Sequence, residues 1–138
     1  MDTLTKKQRS ERMARIRSRD TGPERQVHEI LIRLRYRNFV THDPTLPGNP
    51  DFAFPRLKKI VFVHGCFWHR HASLKCKLAR LPKSRIDFWR QKLEANRLRD
   101  LRTQQRLRRA GWSVCTVWEC HLANLGRVQS KLCKFLQG

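Results

Sequence analysis

Histidine and cysteine crowd one short stretch of this chain, His64-Gly65-Cys66-Phe67-Trp68-His69-Arg70-His71, with Cys76 soon after and Cys120 far downstream. Zinc takes four nitrogen or sulfur ligands in a tetrahedron, and a structural site can fasten a loop that has no core of its own. Cys66, His71, Cys76 and Cys120 meet that need, drawn from one tight loop plus one remote element. Their spacing is not that of a standard zinc finger, so buried thiols beside a surface histidine patch is the competing reading. Cys115 and Cys133 fall in apolar-patterned segments and read as small buried hydrophobes. His28, His42 and His121 read as ordinary surface or helix-face residues.

The elements that must position this cluster belong to a chain of 138 residues, enough for one ordinary core and too few for two. The organisation expected is a basic arm over residues 1–20 and a single domain over 21–138. The 31 Lys and Arg against 11 Asp and Glu leave a net charge of +20, which calls for a polyanionic partner. Nucleic acid fits better than membrane, because the basic residues are spread along the chain instead of lining one amphipathic helix. A ribosomal or other RNA-bound structural protein shares that charge. No apolar run approaches the roughly 20 residues of a membrane span, and the start Met1-Asp2-Thr3-Leu4-Thr5-Lys6-Lys7 has no signal-peptide core, so a cytoplasmic protein is expected. Five cysteines in such a chain argue for metal ligation or buried thiols over a disulfide framework.

Residues 5–19 suit a basic arm or short helix on a phosphate backbone, interrupted mainly by Met13 and Ile16; a solvated tail would look the same. Thr21-Gly22-Pro23-Glu24 has the form of a capping box with Pro in the first turn, and Val27, Ile30, Leu31 and Leu34 then mark one face of a helix. Three strands follow at Phe39-Val40-Thr41, Asp51 to Phe54 and Lys59 to His64. The brief Pro55-Arg56-Leu57 turn predicts an antiparallel hairpin, and the near-continuous apolar third run predicts a central strand covered on both faces. A loop over 65–83 leads to a long basic helix opening at Ser84, with Asp87 three residues on, and closing at Ala110-Gly111. Its apolar members are Ile86, Phe88, Trp89, Leu93, Leu98, Leu101 and Leu107. Trp112 to Trp118 reads as a fourth strand, and Val128, Leu132, Phe135 and Leu136 mark a closing helix.

Taken together, Pro50-Asp51, the run Phe62 to His71, Phe88-Trp89 and Trp118-Glu119-Cys120 resemble very short patch repair (Vsr) endonucleases. Arg19-Asp20-Thr21 with Glu24, and Leu46-Pro47-Gly48 ahead of Pro50-Asp51, extend the resemblance over nearly the whole chain. The family is a divergent branch of the restriction-endonuclease-like PD-(D/E)xK superfamily. The resemblance therefore implies an α/β fold: an αβββαβ core with a mixed central sheet flanked by helices, plus a structural zinc site. Phe62-Val63-His64 stands where ordinary members carry an acid-x-Lys, as it does in this branch. The spacer Ala72 to Lys75 is longer than usual for the family, at a closure cost well under about 1 kcal/mol.

The resemblance also implies roles. Asp51 and the backbone carbonyl of Val63 would bind catalytic Mg²⁺, with water and phosphate oxygens completing the octahedron. His69 would be the general base, His64 a phosphate-contacting or proton-donating partner, Asp100 the residue orienting His69, and Glu24 an acid acting through metal-bound water. Zinc on Cys66, His71, Cys76 and Cys120 would be structural. Phe67, Trp68 and Trp89 would stack at the mismatch from the major-groove side while Met13 wedges from the minor groove. The implied substrate is double-stranded DNA with a T·G mismatch left by deamination of 5-methylcytosine, nicked 5′ to the thymine. A monomer remote from membranes is implied, with mismatch-repair proteins as possible contacts. Two rivals remain open: a noncatalytic zinc-stapled nucleic-acid-binding protein, and a nuclease of other specificity.

Overall fold

The computed structural model describes residues 22–66 and 84–138. The basic arm with Met13, and Phe67, Trp68, His69, His71 and Cys76 of the loop, lie outside the described residues. In chain order the elements are α1 (Gly22–Arg33), β1 (Val40–Thr41), β2 (Phe52–Phe54), β3 (Lys59–His64), α2 (Ile86–Arg109), β4 (Ser113–Trp118), a 3₁₀ turn (Glu119–Ala123) and α3 (Leu125–Gln137).

Helix α1 has Pro23 and Glu24 in its first turn, where a missing N–H costs nothing and a negative charge meets the positive end of the helix dipole. It ends in a Schellman pattern: Arg35 N donates to Ile32 O (3.0 Å) and Tyr36 N to Leu31 O (3.0 Å), with Arg35 at φ 68° in the position that usually takes glycine. Val27, Ile30 and Leu31 are buried as their spacing predicts.

The four strands form one sheet in the order β1-β2-β3-β4. The β1/β2 and β2/β3 pairs are antiparallel, whereas β3 and β4 run parallel and are joined through α2. All six residues of β3 are buried, as a doubly covered strand requires. Alternation along the strands divides the interior. Phe52, Phe54, Val61, Val63, Cys115 and Val117 meet α1 and α3 on one face. Ala53, Ile60 and Phe62 meet Leu107 of α2 on the other. Lys59 is buried at the foot of β3, and its Nζ donates to the Phe135 carbonyl of α3 at 2.5 Å.

Two expectations need correction. Helix α2 opens at Ile86, not Ser84: Arg85 holds the N-cap position in the left-handed region (φ 55°) without a side-chain cap, so helical backbone cannot extend through it. Of its apolar residues only Leu93 and Leu107 are buried, while Ile86, Phe88, Leu98 and Leu101 are exposed. The 3₁₀ turn between β4 and α3 was not anticipated. There His121 Nδ1 accepts from the Trp118 amide (3.4 Å), so His121 is a half-buried turn-capping residue and not an ordinary surface or helix-face one.

The segment between β1 and β2 is held against α2 by the absence of a side chain at Gly48. This residue has φ +79°, and a Cβ there would lie 2.5 Å from Thr103 Cγ2 on α2. Gly48→Ala is therefore expected to cost about 1–3 kcal/mol in urea denaturation. Adding Thr103→Ser, which deletes the clashing methyl, should return part of the loss; an additive double variant would show that the loop does not rest on Thr103.

Candidate active site and metal centre

A cleft of about 520 Å³ opens between α2 and the ends of the sheet strands. Glu24 from α1, His42 after β1, Asp51 before β2, Val63 and His64 at the end of β3, and Asp100 of α2 all line it. Local structure explains the convergence. The register Phe52↔Val61 puts Asp51 just past the end of the β2/β3 ladder, where Asp51 Oδ2 accepts the Val63 amide at 2.7 Å. The register Thr41↔Phe52 brings His42 opposite Asp51, and the His42 amide donates to the Asp51 carbonyl at 3.3 Å. Glu24 is buried, and its Oε2 lies 2.7 Å from His42 Nε2. The same nitrogen is 3.7 Å from Asp51 Oδ1.

Burial, above all, pushes the Asp51 carboxyl up from the ordinary aspartate range to about 8; the neighbouring Glu24 adds to the rise through its charge and a shared hydrogen bond, against the opposing pull of the Val63 amide. A hydrogen bond between two carboxyls requires a proton between them. This is the condition in which a divalent cation binds by taking the proton's place. One oxygen or nitrogen from each of Glu24, His42 and Asp51 lies within 4.8 Å of the others.

The structure thus brings together Glu24, Asp51, Val63, His64 and Asp100. His64 is buried, with its ring edge-on to Trp118 at 5.2 Å. Trp89 stands apart from the cleft in the first turn of α2, edge-to-face with Phe88 at 5.3 Å, and Lys92 Nζ is 5.9 Å from each ring. The parallel pair His64↔Trp118 brings Cys66 and Cys120, each two residues further on, to adjacent strand ends: the Cys120 amide donates to Cys66 Sγ at 3.4 Å. The reading of Cys115 as a buried thiol holds, and desolvation raises its pKa. The reading of His42 as an ordinary surface residue does not. Its place follows from β1/β2 pairing, and a two-residue strand carries too weak a pattern to announce that pairing.

The profile of the family described as DNA mismatch endonuclease Vsr matches residues 1–75. The chain belongs to the Vsr family. It is 44% identical over 131 residues to the type II nicking enzyme V.XorIIP of Xanthomonas oryzae pv. oryzae, covering 95% of this chain and 93% of that one. It is 37% identical to the type II nicking enzyme V.NmeAIP of Neisseria meningitidis (95% and 91% covered), and 40% identical to the DNA mismatch endonuclease Vsr of Escherichia coli (88% and 75% covered). Membership in the Vsr family makes the chain a DNA endonuclease, a hydrolase of phosphodiester bonds. No helix among the described residues is long and apolar enough to cross a membrane.

The raised Asp51 carboxyl predicts a signature in cation-free buffer. Unfolded, the group ionises near 3.8; folded, near 8. Between those values the folded state binds more protons, so this group's contribution to stability falls as pH rises and levels off above about 8. Asp51→Asn, which never ionises, should gain thermal stability relative to wild type as pH goes from 5 to 8, as roughly read by melting temperatures in chelator. A difference independent of pH would contradict the buried, protonated state.

Proposed function

We propose that this endonuclease nicks duplex DNA on the 5′ side of the thymine in a T·G mismatch, using Mg²⁺ at Asp51 and a zinc site for structure. The observation that carries the reading is the buried Asp51–Glu24 carboxyl pair in a cleft that also holds Val63, His64 and Asp100. The sheet flanked by α1, α2 and α3 fits the restriction-endonuclease-like core, with residues 21–138 as one domain behind a basic arm over 1–20. The setting proposed is cytoplasmic, and the acting form a monomer.

Asp51, the Val63 carbonyl and, through water, Glu24 would hold the magnesium. The Val63 N–H already meets Asp51 Oδ2 at 2.7 Å, which brings the Val63 backbone up to the carboxyl. Such an oxygen-rich set suits a hard cation. Bound there, magnesium supplies positive charge against the scissile phosphate and lowers the pKa of water. His69 takes the proton from the attacking water, whose oxygen forms the new bond to phosphorus as the bond to the 3′ oxygen breaks. A proton reaches that departing oxygen from His64 or solvent, leaving a 3′ hydroxyl and a 5′ phosphate. Asp100 orients His69 from α2.

Recognition in this reading combines charge and stacking. The basic residues of α2 grip phosphates without reading sequence. Phe67, Trp68 and Trp89 stack into the step opened at the mismatch, with Met13 entering from the minor groove; the weaker T·G pair makes that opening cheaper. Cys66 and Cys120, already adjacent, would close on zinc with His71 and Cys76. Mismatch-repair proteins are the proposed associates.

A second reading is favoured by relatives named type II nicking enzymes: a nuclease with a different substrate preference. Matched duplexes carrying T·G or T·A, incubated with Mg²⁺, separate the two. Wild type should nick the T·G duplex on the thymine strand at least about 100-fold faster, and Asp51→Ala should lose at least that much activity on it. Equal cutting of both duplexes defeats the mismatch claim, and tight binding without cutting favours a noncatalytic module. Metal analysis of purified protein should find about one zinc per chain, lost in Cys66→Ser; zinc-free, folded wild type would remove the structural site.

A further inference from the structure

His42 stands in the cleft without a part in the mechanism above. Its Nε2 is the atom that faces both acids, 2.7 Å from Glu24 Oε2 and 3.7 Å from Asp51 Oδ1. The three donor atoms fall within 4.8 Å of one another, near the about 4 to 4.5 Å that separates opposite ligands around a small divalent ion. The backbone holds the imidazole in place: the His42 amide is bonded to the Asp51 carbonyl, and His42 adopts φ 49°, in the left-handed region that few residues other than glycine enter. Two carboxylates and an imidazole form a different ligand set from carboxylate, carbonyl and water. Oxygen ligands suit magnesium and manganese alike; an added imidazole favours the first-row transition ions over magnesium, manganese being the first and weakest of that series.

We propose that His42 is a direct nitrogen ligand of the divalent cation, shared with Glu24 and Asp51, and that it shifts this site's preference from magnesium toward manganese. The proposal rests on the cation site at Asp51. Without the cation, the His42 Nε2–H donates to Glu24; on binding, the proton moves to Nδ1 and the freed lone pair meets the ion. Because Glu24 then ligates directly, its role changes from one exercised through water to one exercised at the metal.

The test uses the full-length protein with Mn²⁺ as a paramagnetic probe, read by electron spin echo modulation from directly bound ¹⁴N. Wild type should show imidazole nitrogen coupling, retained in His64→Gln and lost in His42→Gln while manganese still binds. In competition titrations, the ratio of manganese to magnesium affinity should fall at least about tenfold in His42→Gln. Manganese bound at a site sensitive to Asp51→Ala but lacking nitrogen coupling overturns the role of His42 and leaves the Asp51 site standing. Coupling that survives His42→Gln and vanishes in His64→Gln assigns the nitrogen to His64 and overturns the proposal. Binding indifferent to Asp51→Ala overturns both readings. The wild-type spectrum alone decides against His42 if it lacks nitrogen coupling, however the variants fold.

Discussion

The 2.7 Å hydrogen bond from the Val63 amide to Asp51 Oδ2 joins the end of β3 to the start of β2 at the point where their ladder runs out. It holds a carboxyl away from water next to a second buried acid, Glu24. Two acids so placed cannot both ionise without a cation or a proton between them. Burial therefore holds the Asp51 carboxyl protonated up to about pH 8, and a cation bound at the proposed site would take that proton's place. Keeping two acids this close requires a firm fold around them.

That firmness comes from the sheet. Each of its faces is covered by helices, and β3 at its centre is buried along its whole length. Parallel pairing of β3 with β4 extends past the ladder, placing Cys66 beside Cys120 just as it places His64 beside Trp118. One register thus positions a residue of the candidate cleft and two cysteines of the proposed zinc site. A zinc ion there would fasten the loop that carries His69 to the same two strands. Around this centre the net charge of +20 supplies attraction to DNA of any sequence. Charge reads no sequence, so any specificity must come from contacts to bases or from the shape of the DNA.

Strong local patterns made much of this legible in the sequence. The apolar face of α1, the β2/β3 hairpin and the unbroken apolar run of β3 each announce one structure, and motif resemblance singled out Asp51, His64, Glu24 and Asp100 for the cleft. What stayed hidden depends on pairing between weakly marked segments. His42 follows a strand of two exposed residues, so nothing near it in sequence reports that it faces Asp51. Arg85 adopts a left-handed conformation that its residue type does not forecast, and it delays α2 past the apparent Ser84 cap. The exposed Phe88, Leu98 and Leu101 show the opposite failure: on a helix this basic, apolar residues are not all committed to the core.

In the proposed site, a proton on the buried carboxyl pair gives way to a divalent cation. Isothermal titration of the full-length protein with Mg²⁺ and Mn²⁺ at pH 7, repeated in buffers of different ionisation enthalpy, counts the protons released per ion bound. Close to one is expected, falling toward zero in Asp51→Asn or as the pH is raised to about 9. Tight cation binding in wild type at pH 7 with no proton release would contradict it.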